Sequence, residues 1–516
     1  MLDISRLSPQ DLERFIHIQA IVDRQDEAAE LVRAFRDYYD GRHPTLLTKR
    51  QKQFLGGLLD DGQANFSHNL VRSVIDTLRE RLAVTGLAIE SEETETSTEF
   101  SRVLWEWWTG SKMDAQQIRL YRRALRDGYS YVMVSPGEDG TPVLSIHKRD
   151  AGPQQPGVML HRDPEDENRV LFASRYFYTF NPLKPGSTGT ERKTVYLPGE
   201  IRKYIRSVDA VGGWQAYQDD GDASWPIPWV DARGNPLGCA VIEFANPGGS
   251  EIEQILGLQN ALNKSWLDLI AAADTSGFPL IVASYNTNGQ PFNSAEDDAD
   301  SEGADEVRLS PGRMIEVDDA TVNRLEAANL SPMIEVMWTI VQAISGVSRT
   351  PAYYLRPVGG GDVPSGEALK QLESGLVRRA EERQLLFGQA WEDVFALAYR
   401  VNQTFGPALP DIQDISVDVT WQDANVRNEL AEVQTAEGHK RLGVPDEILW
   451  RRLGYTPEDI SHFKDVTLGN RTADIAAVTA ALRVNQTRTQ VQPAAQPDSV
   501  TVPDNGDVTD VPEVTA

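Results

Sequence analysis

One cysteine, Cys239, stands in 516 residues, which excludes an internal disulfide framework. It reads as a small buried hydrophobe rather than a reactive thiol. No apolar run approaches the roughly 20 residues that a membrane-crossing helix needs, so no membrane partner is expected. The opening MLDISRLSPQDLERF has no basic stretch followed by an apolar core, and no export signal is expected from it. Basic charge is scarce: 50 Lys and Arg face 77 Asp and Glu, for a net charge of −27. That balance argues against a surface that grips nucleic acid by neutralising phosphates. It fits a well-solvated protein, or one whose surface repels phosphate.

Catalytic motifs are missing as well. The chain has no G-x-x-x-x-G-K-[ST] loop for a nucleotide, no H-E-x-x-H and no G-x-S-x-G elbow. The seven histidines are scattered singly, and His17 and His68 read as structural. Carboxylates are too abundant for spacing to single out a hydrolytic pair. The nearest approach to a metal motif places Asp298, Asp300, Glu302 and Gly303 at positions 1, 3, 5 and 6 of a calcium loop. Position 12, where a bidentate Glu belongs, is Leu309, so the segment reads as a solvated loop. No cofactor, no metal and no enzymatic activity are expected.

What the chain has is a Gly/Pro-rich loop, GVSRTPAYYLRPVGGGDVPS, running into a very long helical pattern. Leu369, Leu372, Leu376, Ala380, Phe387, Trp391, Val394, Ala398 and Val401 recur at three- and four-residue spacing. Ser365 fits the N-cap, and a helix of this length reaches roughly 50–60 Å. Gly375 and Gly388 are points where it could bend. In the loop, Arg349, Tyr353, Tyr354 and Arg356 support two readings. They meet nucleic acid through phosphate pairing and stacking, or the tyrosines pack on neighbouring helices while the arginines pair with acids.

The rest divides by pattern into a predominantly helical α+β chain. Ser8-Pro9-Gln10-Asp11 opens a helix expected to run to Tyr39. Asn69 to Leu87 reads as a second helix with Gly86 as its stop, and a third carries Trp105, Trp107 and Trp108. MDAQQIRLYRRALRDG forms another, ending at Gly128 before the strand YSYVMVS. From Val143 to about Phe244, alternating runs between Pro/Gly/Asp turns predict β structure. Ser250 caps a helix striped by Ile252, Ile255, Leu256, Leu262, Trp266, Leu269 and Ile270. Phe278 to about Asn329 is a compact insert containing FPLIVAS, an acidic loop and the expected strands EVRLS and RMIEV, and Leu330 to Ile344 is helical. ISVDVTW follows the long helix as a strand, then short helices to about Arg483. The low-aromatic segment 488–516 is expected to be disordered.

In this order the chain resembles the SPP1-like family of phage portal proteins common among actinobacterial siphophages. The landmarks are YYDGRHP, NLVRSVIDTLRERLAVTGL, KMDAQQIRLYRRALRDGYSYVMV, EFANP with LQNALNKSWLDLI, RTPAYYL, and PSGEALKQLESGLVRRAEERQLLFGQAWEDVFALA. They span about Tyr38 to Tyr455. The resemblance implies a homo-oligomeric ring, typically of twelve subunits, at one capsid vertex, with double-stranded DNA passing without sequence specificity. It implies a wing at 1–249, stem helices at 250–277 and 330–345, and a clip at 278–329. A tunnel loop at 346–365, a long wing helix at 366–405, a wing strand at 406–424 and a crown at 425–487 complete it.

On that likeness Arg349, Tyr353, Tyr354 and Arg356 belong to the channel loop. Leu262, Trp266, Ile270 and Trp391 are candidate subunit contacts, and Asp297, Asp298, Asp300 and Glu302 a candidate docking surface on the clip. The implied partners are the large terminase, a major capsid or scaffold protein, and the head–tail connector. The implied location is the virion, with assembly in the host cytoplasm. Another virion structural protein without a channel, or a carboxylate-based hydrolase, is the alternative that composition leaves open.

Overall fold

In the computed structural model the described residues are 7–24, 28–44, 67–89, 94–149, 157–179, 189–207, 213–219, 221–222, 224–277, 281–285, 320–324, 329–355, 366–409, 417–425, 436–453, 460 and 463–464. Two compact units divide the chain, Met1–Val426 and Arg427–Ala516.

The first unit opens with α1 (Pro9–Arg24) and α2 (Ala28–Tyr39). The amide of Asp11 donates to Ser8 Oγ at 3.2 Å, and that hydroxyl donates back to the Asp11 carboxylate at 2.6 Å. The start signal read from sequence is thus a working cap. Helix α3 (Leu70–Arg79) is capped by Asn69, whose Oδ1 accepts from the amide of Arg72. Its apolar set Leu70, Val71, Val74, Ile75 and Leu78 is fully inward.

One expectation fails here. The helix stops at Arg79, eight residues short of Leu87, and Val84–Ile89 is strand β1. That strand pairs antiparallel with β13 (Val417–Trp421), more than 300 residues away. Val84, Leu87 and Ile89 gain burial on that pairing, so a tertiary contact overrides the continuing helical pattern.

Helices α4 (Thr94–Gly110) and α5 (Met113–Asp127) follow, as their patterns predict. Gly128 ends α5 at φ +85°, a conformation open to glycine, where a Cβ would also crowd the Gly249 backbone at 3.3 Å. Three strands, β2 (Tyr129–Pro136), β3 (Pro142–Lys148) and β10 (Val241–Ala245), make an antiparallel sheet with β2 in the middle. Between them, β4 (Gly157–Arg162), β5 (Val170–Thr179), β6 (Thr190–Tyr196), β7 (Glu200–Ser207) and β8 (Gln215–Ala216) form a meander. Strand β9 (Ile227–Pro228) adds to β7. This meander has its own small core, where Leu12 and Ile16 of α1 meet Leu171, Phe172, Val195, Leu197 and Tyr204.

A short 3-10 turn (Glu253–Ile255) leads into α6 (Leu256–Gly277), then the hairpin β11 (Ile281–Tyr285) and β12 (Ala320–Arg324), then α7 (Ser331–Ser348). Neither strand of this hairpin was foreseen as such, though FPLIVAS supplies most of β11. EVRLS and RMIEV lie outside the described residues. Helices α6 and α7 pack on each other.

A four-residue helix α8 (Ala352–Leu355) precedes α9 (Gly366–Phe405), 40 residues without interruption. It is the spine of the unit, packing on β2, β3, β10, β13 and α3. Trp391 is fully buried at its centre. Its indole N–H donates to the Tyr121 hydroxyl at 2.9 Å, with the rings of Trp108 and Phe244 4.8 and 4.9 Å away. At Gly388 a Cβ would meet the Trp421 indole nitrogen at 3.5 Å, an ordinary contact.

In the second unit, α10 (Asp446–Arg452) and a turn of helix at 436–441 are described, with Leu449 and Ile460 buried. No helix among the described residues is long and apolar enough to cross a membrane. Residues 488–516 lie outside the description.

His147 on β3 carries a pH consequence. Burial, then the Arg175 and Arg123 charges, lowers its pKa to about 4. The unfolded chain therefore takes up a proton near the ordinary pKa of about 6.5, while the folded chain resists it. Stability is intact above about 6.5 and declines as pH falls toward about 4. His147→Gln is expected to flatten this part of a denaturation-versus-pH profile; an unchanged slope would contradict the assignment.

Candidate functional site

The loop singled out by sequence begins where α7 ends, and the long helix holds its base. Arg349 closes α7 in the left-handed region at φ +49°, a strained place for a residue with a side chain, and that side chain is exposed. Thr350 turns fully inward, and its carbonyl accepts from Ser345 Oγ at 2.7 Å.

Tyr353 and Tyr354 come next, with ring centroids 4.5 Å apart. Both hydroxyls donate to Glu373 Oε1 on α9, the Tyr354 bond at 2.9 Å. Arg81, just beyond α3, lies 3.4 Å from the other Glu373 oxygen and donates to the Tyr354 hydroxyl at 3.1 Å. It also donates to the Ala424 carbonyl. Burial and the Glu373 carboxylate push the Tyr353 phenol far above its usual range, so it stays a donor.

A second cluster lies further along α9. Glu251, just ahead of α6, accepts from Arg379 and from Arg383, the latter at 2.8 Å. Arg383 also donates to Asn246 Oδ1 at 2.9 Å, and Arg379 to the Ser348 carbonyl at the end of α7. All three charged side chains are about nine-tenths buried. The cluster joins the start of α6, the end of α7 and the spine.

A polar buttress supports α6 from the N-terminal side. Tyr38 donates to Asn260 Oδ1 at 2.9 Å, and Gln259 Oε1 accepts from the amide of Leu70 at 3.0 Å. Asn263 lies 2.6 Å from His43 Nδ1, whose other nitrogen is 2.9 Å from the Tyr38 carbonyl. Those partners place the imidazole proton on Nε2, and burial lowers the ring's pKa. The YYDGRHP motif thus supplies the seat of α6.

Against this geometry, one comparison decides the family. The model described as phage portal protein, SPP1 Gp6-like, matches residues 18–459.

The chain belongs to that family of phage portal proteins.

Among curated portal proteins, that of Mycobacterium phage L5 is 23% identical over 406 residues, covering 75% of this chain and 76% of the relative. The portal protein of Mycobacterium phage D29 is 22% identical over 400 residues, covering 75% of each. Among solved structures, a chain from the neck of an empty gene transfer agent particle has a TM-score of 0.39 at 12% identity, covering 80% of this chain and 96% of that one. A chain from the native gene transfer agent virion has a TM-score of 0.37 at 12% identity, with the same coverage.

Within the portal protein, the candidate residues fall in different places. Arg349, Tyr353 and Tyr354 come together at the loop base, while Arg356 lies outside the described residues. The tyrosine hydroxyls are held by Glu373, which is the packing reading of those side chains. Trp266 and Ile270 are half-buried on α6, with the Trp266 ring 5.7 Å from His68. Leu262 and Trp391 need correction as subunit contacts. Both have zero exposure in the single chain, being enclosed in its own core, and have no surface left for a neighbour. Asp297, Asp298, Asp300 and Glu302 lie outside the described residues, as does the calcium-like loop. Among the described residues no group of three metal-ligating side chains comes together.

Cys239 is half-buried rather than fully enclosed, and the burial of its thiol pushes its pKa up to about 11. Missed from sequence were Glu251, Glu373, Arg81, Gln259 and Asn263. Their signal was present as polar residues interrupting apolar helical stripes, the pattern of buried polar groups with partners elsewhere.

Glu373→Ala would leave Arg81 buried beside two tyrosines without their acceptor. The expected cost is about 3–5 kcal/mol, read from the denaturation midpoint. A loss below about 1 kcal/mol would show that the pair does not hold the loop base.

Proposed function

We propose that this portal protein closes side by side into a ring at one capsid vertex, through which double-stranded DNA enters and leaves the head. The family match across 18–459 is the observation that carries this reading. The order of elements supports it. Two packed helices joined by a hairpin-bearing insert lead through a Gly/Pro loop to a 40-residue helix.

In this reading α6 and α7 are the stem, the segment from 278 to 329 is the clip, and 346–365 is the tunnel loop. The wing comprises 1–249, the long helix and β13, and 425–487 is the crown. The clip meets the packaging terminase and then the head–tail connector, and the wing and crown face the capsid or scaffold protein.

Exposed apolar side chains mark the surface that ring closure would bury. Ile334 and Val336 on α7, and Leu372 and Leu385 on α9, are 39–67% exposed in the single chain. They join Trp266 and Ile270 as the subunit contact, in place of Leu262 and Trp391. Contacts of this kind are head-to-tail and close by rotation.

The charge balance suits passage. An acidic wall offers no deep electrostatic trap to a sliding polyanion, so a few loop residues such as Arg349 can touch DNA without holding it. The chain needs no catalytic group for this task, since another component drives the movement.

Negative-stain images of purified protein should show rings with an axial hole, of about twelve subunits as is typical of the family. Deleting 357–363 should leave those rings intact while lowering the yield of DNA-filled heads. Isolated monomers at every concentration and salt, or normal filled heads from the deletion, would contradict the reading.

A further inference from the structure

Against its acidic background the chain gathers one concentrated patch of positive charge. Arg36 of α2, Arg119, Arg122, Arg123 and Arg126 of α5, and Lys148 of β3 line a cavity of about 280 Å³. The four α5 arginines are spaced i, i+3, i+4 and i+7, so one face of that helix is wholly cationic. The opposite face, with Leu120, Tyr121, Ala124 and Leu125, is buried in the core. Each like-charge pair at this spacing opposes the helix that carries it. Arg122 and Arg126 lie over the Tyr39 ring, 6.0 and 5.4 Å from its centroid, and that packing does not extend to Arg119 and Arg123.

Among the described residues, internal acids meet only part of the α5 face. Asp127 engages Arg36 and Arg126, at 2.9 and 2.6 Å, and Asp76 stands 3.6 Å from Arg122 Nε. That Nε is buried without a hydrogen-bond partner. Arg119 and Arg123 form no ion pair or side-chain hydrogen bond among the described residues. Among the described residues, Asp127 and Asp76 thus answer Arg36, Arg122 and Arg126, while Arg119 and Arg123 face the same cavity without an ion pair. Burial and the charges of Arg119 and Arg126 lower the Arg123 pKa to about 10, the direction expected of a cation short of counter-charge.

We propose that this cavity is a binding site for a phosphoryl group, gripped by Arg119, Arg122 and Arg123. A tetrahedral dianion presents several oxygens to several guanidinium forks at once, whereas a lone carboxylate would leave most of them unmatched. The source is either a phosphodiester of nucleic acid or free phosphate, and the chemistry of the grip is the same. The site belongs to one chain, so it does not depend on ring formation.

The test is calorimetric titration of full-length protein with sodium phosphate, beside fluorescence anisotropy with a labelled 20-base-pair duplex. The wild type is expected to bind phosphate saturably at one site per chain. Arg119→Gln/Arg123→Gln should weaken that binding by at least about tenfold, and Arg119→Gln alone, at an exposed position, by about threefold. The double variant should also melt no lower than wild type, because it relieves repulsion; arginines kept for packing would lower the melting temperature when removed.

A parallel loss of duplex affinity identifies nucleic acid as the source, and an unchanged duplex affinity identifies free phosphate. Absence of saturable phosphate binding, equal affinity in the double variant, or displacement of phosphate by poly-glutamate more readily than by duplex would overturn the proposal. None of these results bears on whether rings form.

Discussion

A single buried carboxylate, Glu251, ties together the parts on which the rest of the molecule depends. It sits at the root of α6, and its partners Arg379 and Arg383 lie one turn apart on the spine helix. Without Glu251 those two guanidiniums would repel each other at i, i+4 in a largely dry setting. With it, and with Ser348 accepting from Arg379, the roots of both packed helices are fixed to one rod. Buried ion clusters contribute little net stability, but their geometry admits few alternatives. On the proposed ring, that suits a subunit whose neighbours would have to meet it at a constant angle.

The spine in turn rests on aromatic packing. Trp391, Phe387 and Phe395 bury one stripe of α9 against Trp108, Tyr121 and Phe244, so helix, sheet and α5 share a core. The loop base follows from this frame. Glu373 takes both tyrosine hydroxyls and Arg81, leaving Arg349 as the exposed cation at the turn. The site is thus a held root followed in sequence by a glycine-rich stretch, and on the proposed reading that stretch touches a moving polymer without trapping it.

Much of this was legible in the sequence, for physical reasons. The Ser8 cap, the glycine after Asp127 and the period of α9 are local signals, and each marked an element that formed, while Ser365 lies outside the described residues. Strand β1 was not legible, because its partner lies more than 300 residues away and its preceding helix shares the same apolar character. The candidate interface was half legible. Periodicity tells which residues face inward but not whether the covering surface is the chain's own, and for Leu262 and Trp391 it is. The ion clusters escaped because a charged residue in a stripe gives no hint of its partner. The cationic face of α5 was visible as spacing, yet its cavity required α2 and β3 to close it.

The most direct test of the central claim is hydrogen exchange on the intact chain, comparing wild type with Glu251→Gln. The account predicts that amides at 250–258 and 344–355 gain exchange together, while 376–401 on the spine stay among the slowest. Faster exchange on one side alone, or loss of protection along the spine itself, would contradict it.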